Sequence, residues 1–231
     1  SIGELAGDAV TTGNSNNVLG YQAGSAISTG SNNNFFGTLA GKSTTTADYN
    51  VAVGQEALEA NTTGASNVAI GFRALEANTT ASGNTGLGYD ALGDNTTGDL
   101  NVAVGHNSLI ANTTASNNTA VGQNALATNT TGANNTAIGR ASLDANTTAS
   151  HNTAVGYDAL AANTTGQQNT AVGHQALDAN TTGAYNQAFG QHTLTTNTTG
   201  DYNSAFGWGA LFSNTTADGN TAIGNLTLYT N

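Results

Sequence analysis

The chain repeats itself every 17 residues without an insertion. Set in frame it reads NVAVGQEALEANTTGAS from Asn50, NVAIGFRALEANTTASG from Asn67 and NTGLGYDALGDNTTGDL from Asn84. Units begin at Asn16 and at every seventeenth residue to Asn220. Residues 1–15 fit the same frame as repeat positions 3 to 17, and the last unit reaches position 12 at Asn231. So strict a period restricts the fold to one unit stacked on the next, each presenting the same side chain to the same column. The sequence begins and ends in mid-repeat, so a segment of a longer chain is expected.

With the leading Asn as position 1, position 5 is Gly in every unit, from Gly3 to Gly224. Position 14 is Thr from Thr12 to Thr216, position 4 is apolar from Ile2 to Ile223, and position 9 is Leu from Leu58 to Leu228. Positions 3, 8 and 11 are mostly Ala. Positions 1 to 5, N-[TV]-A-[VI]-G, alternate β-branched residues with Ala and read as a short strand. Its terminal Gly marks a bend that needs a positive φ or a close backbone approach. In the remainder, x-x-A-L-x-A-N-T-T-G, both a single helical turn and a plain turn fit the first part. N-T-T then reads as a second extended segment. Seventeen residues are too few for a βα unit and suit one coil of a narrow parallel β-solenoid, rising about 4.8 Å per coil. The expected core is the position-4 residue and the position-9 Leu, with Ala between and Asn ladders at positions 1 and 12.

The fold class is therefore all-β, a parallel β-solenoid running as one continuous segment over residues 1–231. Residues 1–49 are variant coils, in which Gly7, Gly24 and Gly41 stand at position 9. Val10 and Ile27 at position 12 and Phe35 at position 3 are larger than usual, which predicts volume compensation across one core. Residues 50–231 are the regular coils.

Thr, Asn and Gly number 39, 33 and 30 of 231 residues. That composition fits disorder or a prion-like tract, but neither would keep apolar residues in register. Three cations against a net charge of -11 leave no basic stripe for nucleic acid or for an anionic membrane. No apolar run reaches the ~18 residues of a membrane span. The absence of Cys removes disulfides, zinc thiolates and thiol nucleophiles. No cofactor is expected.

The N-x-A-[VIF]-G strand followed by A-L-x-x-N-T-T-G resembles the head repeats of trimeric autotransporter adhesins. The 17-residue form looks still more like the repeat arrays of tail-fibre-type and large surface proteins of bacteria and phages, and Tyr21–Gly24 (Y-Q-A-G) fits that group. The resemblance covers the whole chain. It implies a left-handed β-roll, a homotrimer or higher assembly, and a place at the cell surface or on a virion tail fibre. A structural or adhesive role in an extracellular fibre follows. A cell-surface glycan or protein receptor would be the partner, and neither nucleic acid nor membrane insertion is expected.

Little in the chain suggests catalysis. His106, His151, His174 and His192 stand at variable positions, and His106 and His174 are four coils apart, about 19 Å at the strand spacing, too far to share a metal. No Ser/His/Asp constellation or G-x-S-x-G elbow occurs, so an enzyme is not expected. Asp48, Asp99, Asp201 and Asp218 at position 16, and Asp90 and Asp158 at position 7, read as solvated charge rather than metal ligands. The exposed ring column is the candidate receptor site: Tyr89, His106, Tyr157, His174 and Trp208 at position 6. The competing reading fills a seam between chains with the same rings. A second candidate is an ice-type array of Thr63, Thr80, Thr97, Thr114, Thr131, Thr148, Thr165, Thr182, Thr199 and Thr216. Read as a strand, Asn61 and Thr63 would share one face and Thr62 the other. The plainer reading has Thr hydroxyls satisfying turn backbone and Asn amides forming ladders. A self-assembling filament subunit is the third reading. Ten N-T-T sequons, from Asn61 to Asn214, matter only where secreted Asn is glycosylated.

Overall fold

A computed structural model describes residues 2–230. Asn231, expected at ladder position 12, lies outside the described residues. The chain forms two compact units, Ser1–Asn117 and Asn118–Asn231. Each is a parallel β-solenoid of 17-residue coils, and no helix occurs among the described residues.

In the first unit the strands are β1 (Asn17–Leu19), β2 (Asn34–Phe36), β3 (Val51–Val53), β4 (Val68–Ile70), β5 (Thr85–Leu87) and β6 (Val102–Val104). Each pairs in parallel with the next, residue i against i+17. The second unit holds β7 (Thr119–Val121), β8 (Thr136–Ile138), β9 (Thr153–Val155), β10 (Thr170–Val172), β11 (Gln187–Phe189), β12 (Ser204–Phe206) and β13 (Thr221–Ile223). These pair in the same order and register. Sequence periodicity thus becomes spatial stacking with no slip.

The turn half of each coil is not helical. In the coil from Asn67, Ala74 N–H donates to Gly71 O (3.4 Å), Glu76 to Arg73 O (3.3 Å) and Asn78 to Leu75 O (3.2 Å). These are successive β-turns. Arg73 (φ 56°) and Leu75 (φ 54°) occupy the third place of the first two, where a type II turn demands positive φ. The intervening amides bond along the stack: Leu75 to Ala91 O at 3.0 Å and Ala77 to Gly93 O at 2.9 Å. Coil-to-coil bonding therefore overrides the helix propensity of ALEAN. N-T-T is a bend rather than a strand. Asn61 turns inward and Thr63 outward, so the two do not share a face.

The core differs from the expected one. Ala52, Ala69 and Ala103 at position 3 are buried, with Ala57 and Leu58 and their equivalents at positions 8 and 9. The branched residues of position 4 point out, with Ile70 37% and Leu87 43% exposed. The coil is too thin for branched side chains from both walls. A Cβ built on Gly86, at position 3, would lie 3.3 Å from Leu75 Cγ, so the Leu already reaches the strand. A methyl fits there and little else. The pleat then forces positions 2 and 4 to the outer side.

Two buried Asn columns complete each interior. At position 12 the amides form a true ladder: Asn78 Nδ2 donates to Asn61 Oδ1 at 3.0 Å and Asn95 Nδ2 to Asn78 Oδ1 at 2.9 Å. At position 1 the side-chain oxygen accepts a backbone N–H of the next coil, as Asn84 N to Asn67 Oδ1 at 2.9 Å. Both columns also donate to one carbonyl at position 15: Asn67 and Asn78 to Ala81 O at 2.8 and 3.0 Å. Apart from Asn214 Oδ1, the last of the described ladder, the amides of these columns are thus satisfied without water, as a dry core requires.

Position 5 can only be Gly. Gly71 has φ +138°, and a Cβ on it would meet Gly88 O at 2.3 Å. In the variant coils the predicted compensation is present at Ile27 and Phe35, both fully buried. A Cβ on Gly41 would lie 2.4 Å from the Phe35 ring, and one on Gly24 2.7 Å from Ile27 Cδ1. Val10 does not take part, being 39% exposed.

Candidate functional site

Within each unit the surface sorts by repeat position into strips. Positions 2 and 4 form the outer strand face. Positions 6 and 7 start the turn and carry the variable rings and charges. Position 10 adds acids, and positions 13 and 14 form the Thr strip.

The candidate receptor rings lie at the surface: Tyr89, Tyr157 and Trp208 are 47%, 40% and 46% exposed, and His106 and His174 are also exposed. Their flat faces are largely used on one another. Phe72, Tyr89 and His106 stack in sequence at 5.2 and 5.0 Å between centroids. Tyr157 stacks on His174 at 5.3 Å, and Arg140 lies over Tyr157 at 5.2 Å with a bond to its hydroxyl of 3.0 Å. A sugar that stacks on a ring needs a free face, whereas these columns offer ring edges. Trp208 is separated from His174 by Gln191 at the same position.

The threonines divide by position. The position-13 hydroxyls donate to the position-13 carbonyl of the next coil, as Thr79 Oγ1 to Thr96 O at 3.0 Å. Position 14 is the exposed one in the regular coils, apart from Thr215 at the end: Thr63, Thr80, Thr97 and Thr114 form a single column in the first unit, and Thr131, Thr148, Thr165, Thr182, Thr199 and Thr216 form one in the second. With Asn61 and its equivalents turned inward, the two-column grid of the ice-type array is not formed. The same inward turn buries the sequon asparagines from Asn61 to Asn214.

Position 16 has a role that composition hid. Asp48 Oδ1 accepts Ser31 N–H, Asp99 Oδ1 that of Ser82, and Asp201 Oδ1 that of Ala184, each at 2.7 Å. Ser82 Oγ accepts Ala65 N–H at 3.0 Å in the same way. These side chains complete a backbone bond the bend leaves open, rather than simply solvating the surface.

Charge gathers on the turn side of the first unit. Arg73 pairs with Glu76 and lies 3.9 and 3.8 Å from Glu56 and Asp90, and Lys42 meets Glu59 at 3.3 Å. The hydrogen bond to Glu76, and then the field of that carboxylate, holds the Arg73 guanidinium charged above its ordinary range. Carboxylate oxygens of Glu56, Glu59 and Glu76 fall within 4.8 Å of one another, beside a shallow depression that Arg73 also lines. Arg73 already supplies the positive charge that such a group would take from a cation. In the second unit burial, followed by the nearby Asp158 carboxylate, raises Asp144 and Asp178; His174 and His192 partly oppose this at Asp178.

Comparison of the chain with protein-family models, with curated proteins and with solved structures finds no match.

Proposed function

We propose that this chain is a non-catalytic structural segment of an extracellular fibre or surface adhesin, in which stacked coils space a distal tip from its base. What carries the reading is the uniformity of coil-to-coil bonding within each unit. The same Gly bend, buried Asn pair and position-15 carbonyl recur coil after coil, so length can change by whole coils without a new core. Contacts offered by the outer surface would be weak singly and add through repetition.

The test is to insert or delete whole 17-residue coils within one unit of a displayed chain carrying a tip binder. Reach of the binder, measured by distance-dependent energy transfer, should change by about 4.8 Å per coil. Constant reach would contradict the spacer reading. Thermal hysteresis of the purified chain should be nil, because the Thr strip is a single column.

A further inference from the structure

We propose that His174, His192 and Asp178, with Asp158 beside them, bind a divalent transition-metal ion such as Zn²⁺ on the turn side of the second unit. The proposal does not depend on the spacer reading.

The two histidines stand at positions 6 and 7 of successive coils, one coil and one position apart. Their ring centres lie 5.2 Å apart with the planes at 89°. Two imidazoles on one tetrahedral zinc, each bound through nitrogen at roughly 2.0–2.1 Å, have centres about 5 Å apart. The backbone fixes this approach, since His192 N–H donates to His174 O at 3.0 Å. Tyr157 stacks on His174 at 5.3 Å and 11°. A half-turn of that imidazole about its Cβ–Cγ bond therefore exchanges the ring atoms presented to His192 and keeps the stack. Asp178 is half-buried beside the pair. Burial and then the Asp158 carboxylate raise its carboxyl, and both imidazoles partly oppose this.

The first unit holds the same arrangement with its own cation. There Arg73, at position 7, pairs with Glu76 at position 10 of its coil. It lies 3.9 and 3.8 Å from Glu56 and Asp90, at position 7 of the coils on either side. Six repeats further on, these positions are Gln175, Asp178, Asp158 and His192. The backbone is the same, with φ 56° at Arg73 and 52° at Gln175. A guanidinium among three acids thus gives way to a neutral amide among two acids and an imidazole, with a second imidazole next to it. The one Lys or Arg of the second unit, Arg140, is engaged by Tyr157. Positive charge at this place must then come from outside the chain.

Imidazole nitrogen with carboxylate oxygen selects Zn²⁺, Ni²⁺ or Cu²⁺ over Ca²⁺ and Mg²⁺, which take oxygen alone. Among the described residues, only Glu56, Glu59 and Glu76 have donor atoms gathered within 4.8 Å. The ion would therefore draw the His and Asp donors together by side-chain rotation, which the surface position of all four residues leaves free. Bound there, it would tie together the coils that begin at Asn152, Asn169 and Asn186.

Calorimetric titration of the full chain with ZnCl₂, up to about 500 μM, tests the site. Wild type should take up one Zn²⁺ and bind Ca²⁺ far more weakly. His192→Ala and Asp178→Asn should each weaken Zn²⁺ about tenfold or more. Gln175→Arg restores the guanidinium of the first unit and should abolish binding with an unchanged circular dichroism spectrum. His106→Ala with His151→Ala removes the two other imidazoles and should leave the affinity within about twofold of wild type. Zn²⁺ should also raise the thermal midpoint of wild type and not that of Gln175→Arg. A wild type that takes up no Zn²⁺ overturns the proposal. So do folded His192→Ala or Gln175→Arg variants that bind like wild type, an equal loss in the His106 and His151 variant, or Ca²⁺ bound as tightly as Zn²⁺.

Discussion

Coils within 2–49 and coils within 50–117 solve one packing problem with opposite residues. In the regular coils a Leu at position 9 spans the interior, a methyl at position 3 meets it, and an Asn at position 12 joins the amide ladder. In the variant coils the spanning group comes from elsewhere, Phe35 from position 3 or Ile27 from position 12, and position 9 is Gly. The backbone is the same in both: Gly41 has φ 57° and Leu58 φ 56°. Leu in that region carries local strain of about 1–2 kcal/mol, which burial of the side chain and the coil-to-coil bonds outweigh. Gly avoids the strain and gives up the side chain. The amide ladder stops where the exchange occurs: besides its bond to Gly64 O at 3.0 Å, Asn61 Nδ2 meets Thr44 Oγ1 at 3.5 Å in place of an Asn oxygen. One coil geometry thus accepts two cores, provided that the total volume is conserved.

The largest effect should come where the two regions agree. Gly37→Ala and Gly71→Ala each drive a Cβ to within 2.4 Å of the next coil's carbonyl at a φ only Gly tolerates. Each should cost about 4 kcal/mol or more in urea unfolding, or abolish folding, equally in both regions. A smaller loss at Gly37 would break the equivalence of the two backbones.

Leu75→Ala should cost about 2–5 kcal/mol as a cavity in a regular coil. Gly41→Leu alone should cost at least about 2 kcal/mol through the Phe35 ring. Phe35→Ala with Gly41→Leu should recover most of that loss, and adding Thr44→Asn should extend the ladder and recover more. A double-mutant cycle without coupling would refute volume exchange.

Asn78→Ala should cost about 1–3 kcal/mol, since it leaves buried amide groups on the ladder short of a partner. Ile27→Ala, at the same repeat position, should lose only apolar burial.

The smallest effect is electrostatic. Burial raises Asp144 and Asp178 above the ordinary carboxylate range, so the folded chain holds their protons more tightly than the unfolded one. The stability they contribute is present below that range and lost as pH rises through the raised folded values. Asp144→Asn with Asp178→Asn should therefore raise the midpoint at pH 7 and leave it nearly unchanged at pH 3, read by thermal scans. A gain at pH 3 alone would reverse the sign.

Much of this was legible in the sequence. The 17-residue period predicted parallel stacking, and N-x-A-V-G predicted a strand over positions 1 to 5 ending at a Gly bend, which the structure shortens to positions 2 to 4. Gly24 and Gly41 beside Ile27 and Phe35 announced compensation. What alternation could not give was its sign. A period of two fixes which residues share a face, and only the width of the coil decides which face is inside. The usual rule of large apolar residues inward fails because Leu75 and its equivalents already reach across. Positive φ at position 9 was hidden by Leu, a residue that disfavours it, although Gly7, Gly24 and Gly41 stood in the same column. The backbone-capping role of Asp48, Asp99 and Ser82 was hidden because Ala occurs at position 16 as well. The candidate rings lie at the surface, but their mutual stacking needs the coil spacing to be seen.

Position 3 inside and position 4 outside is the claim on which the rest stands. Chemical unfolding of Ala69→Leu and Ile70→Ser, at concentrations where the chain does not self-associate, tests it on adjacent residues of β4. Overpacking should cost Ala69→Leu about 2–3 kcal/mol, while Ile70→Ser, on the surface, should stay within about 1 kcal/mol of wild type. The reverse order, with Ile70→Ser the more damaging, would contradict the account.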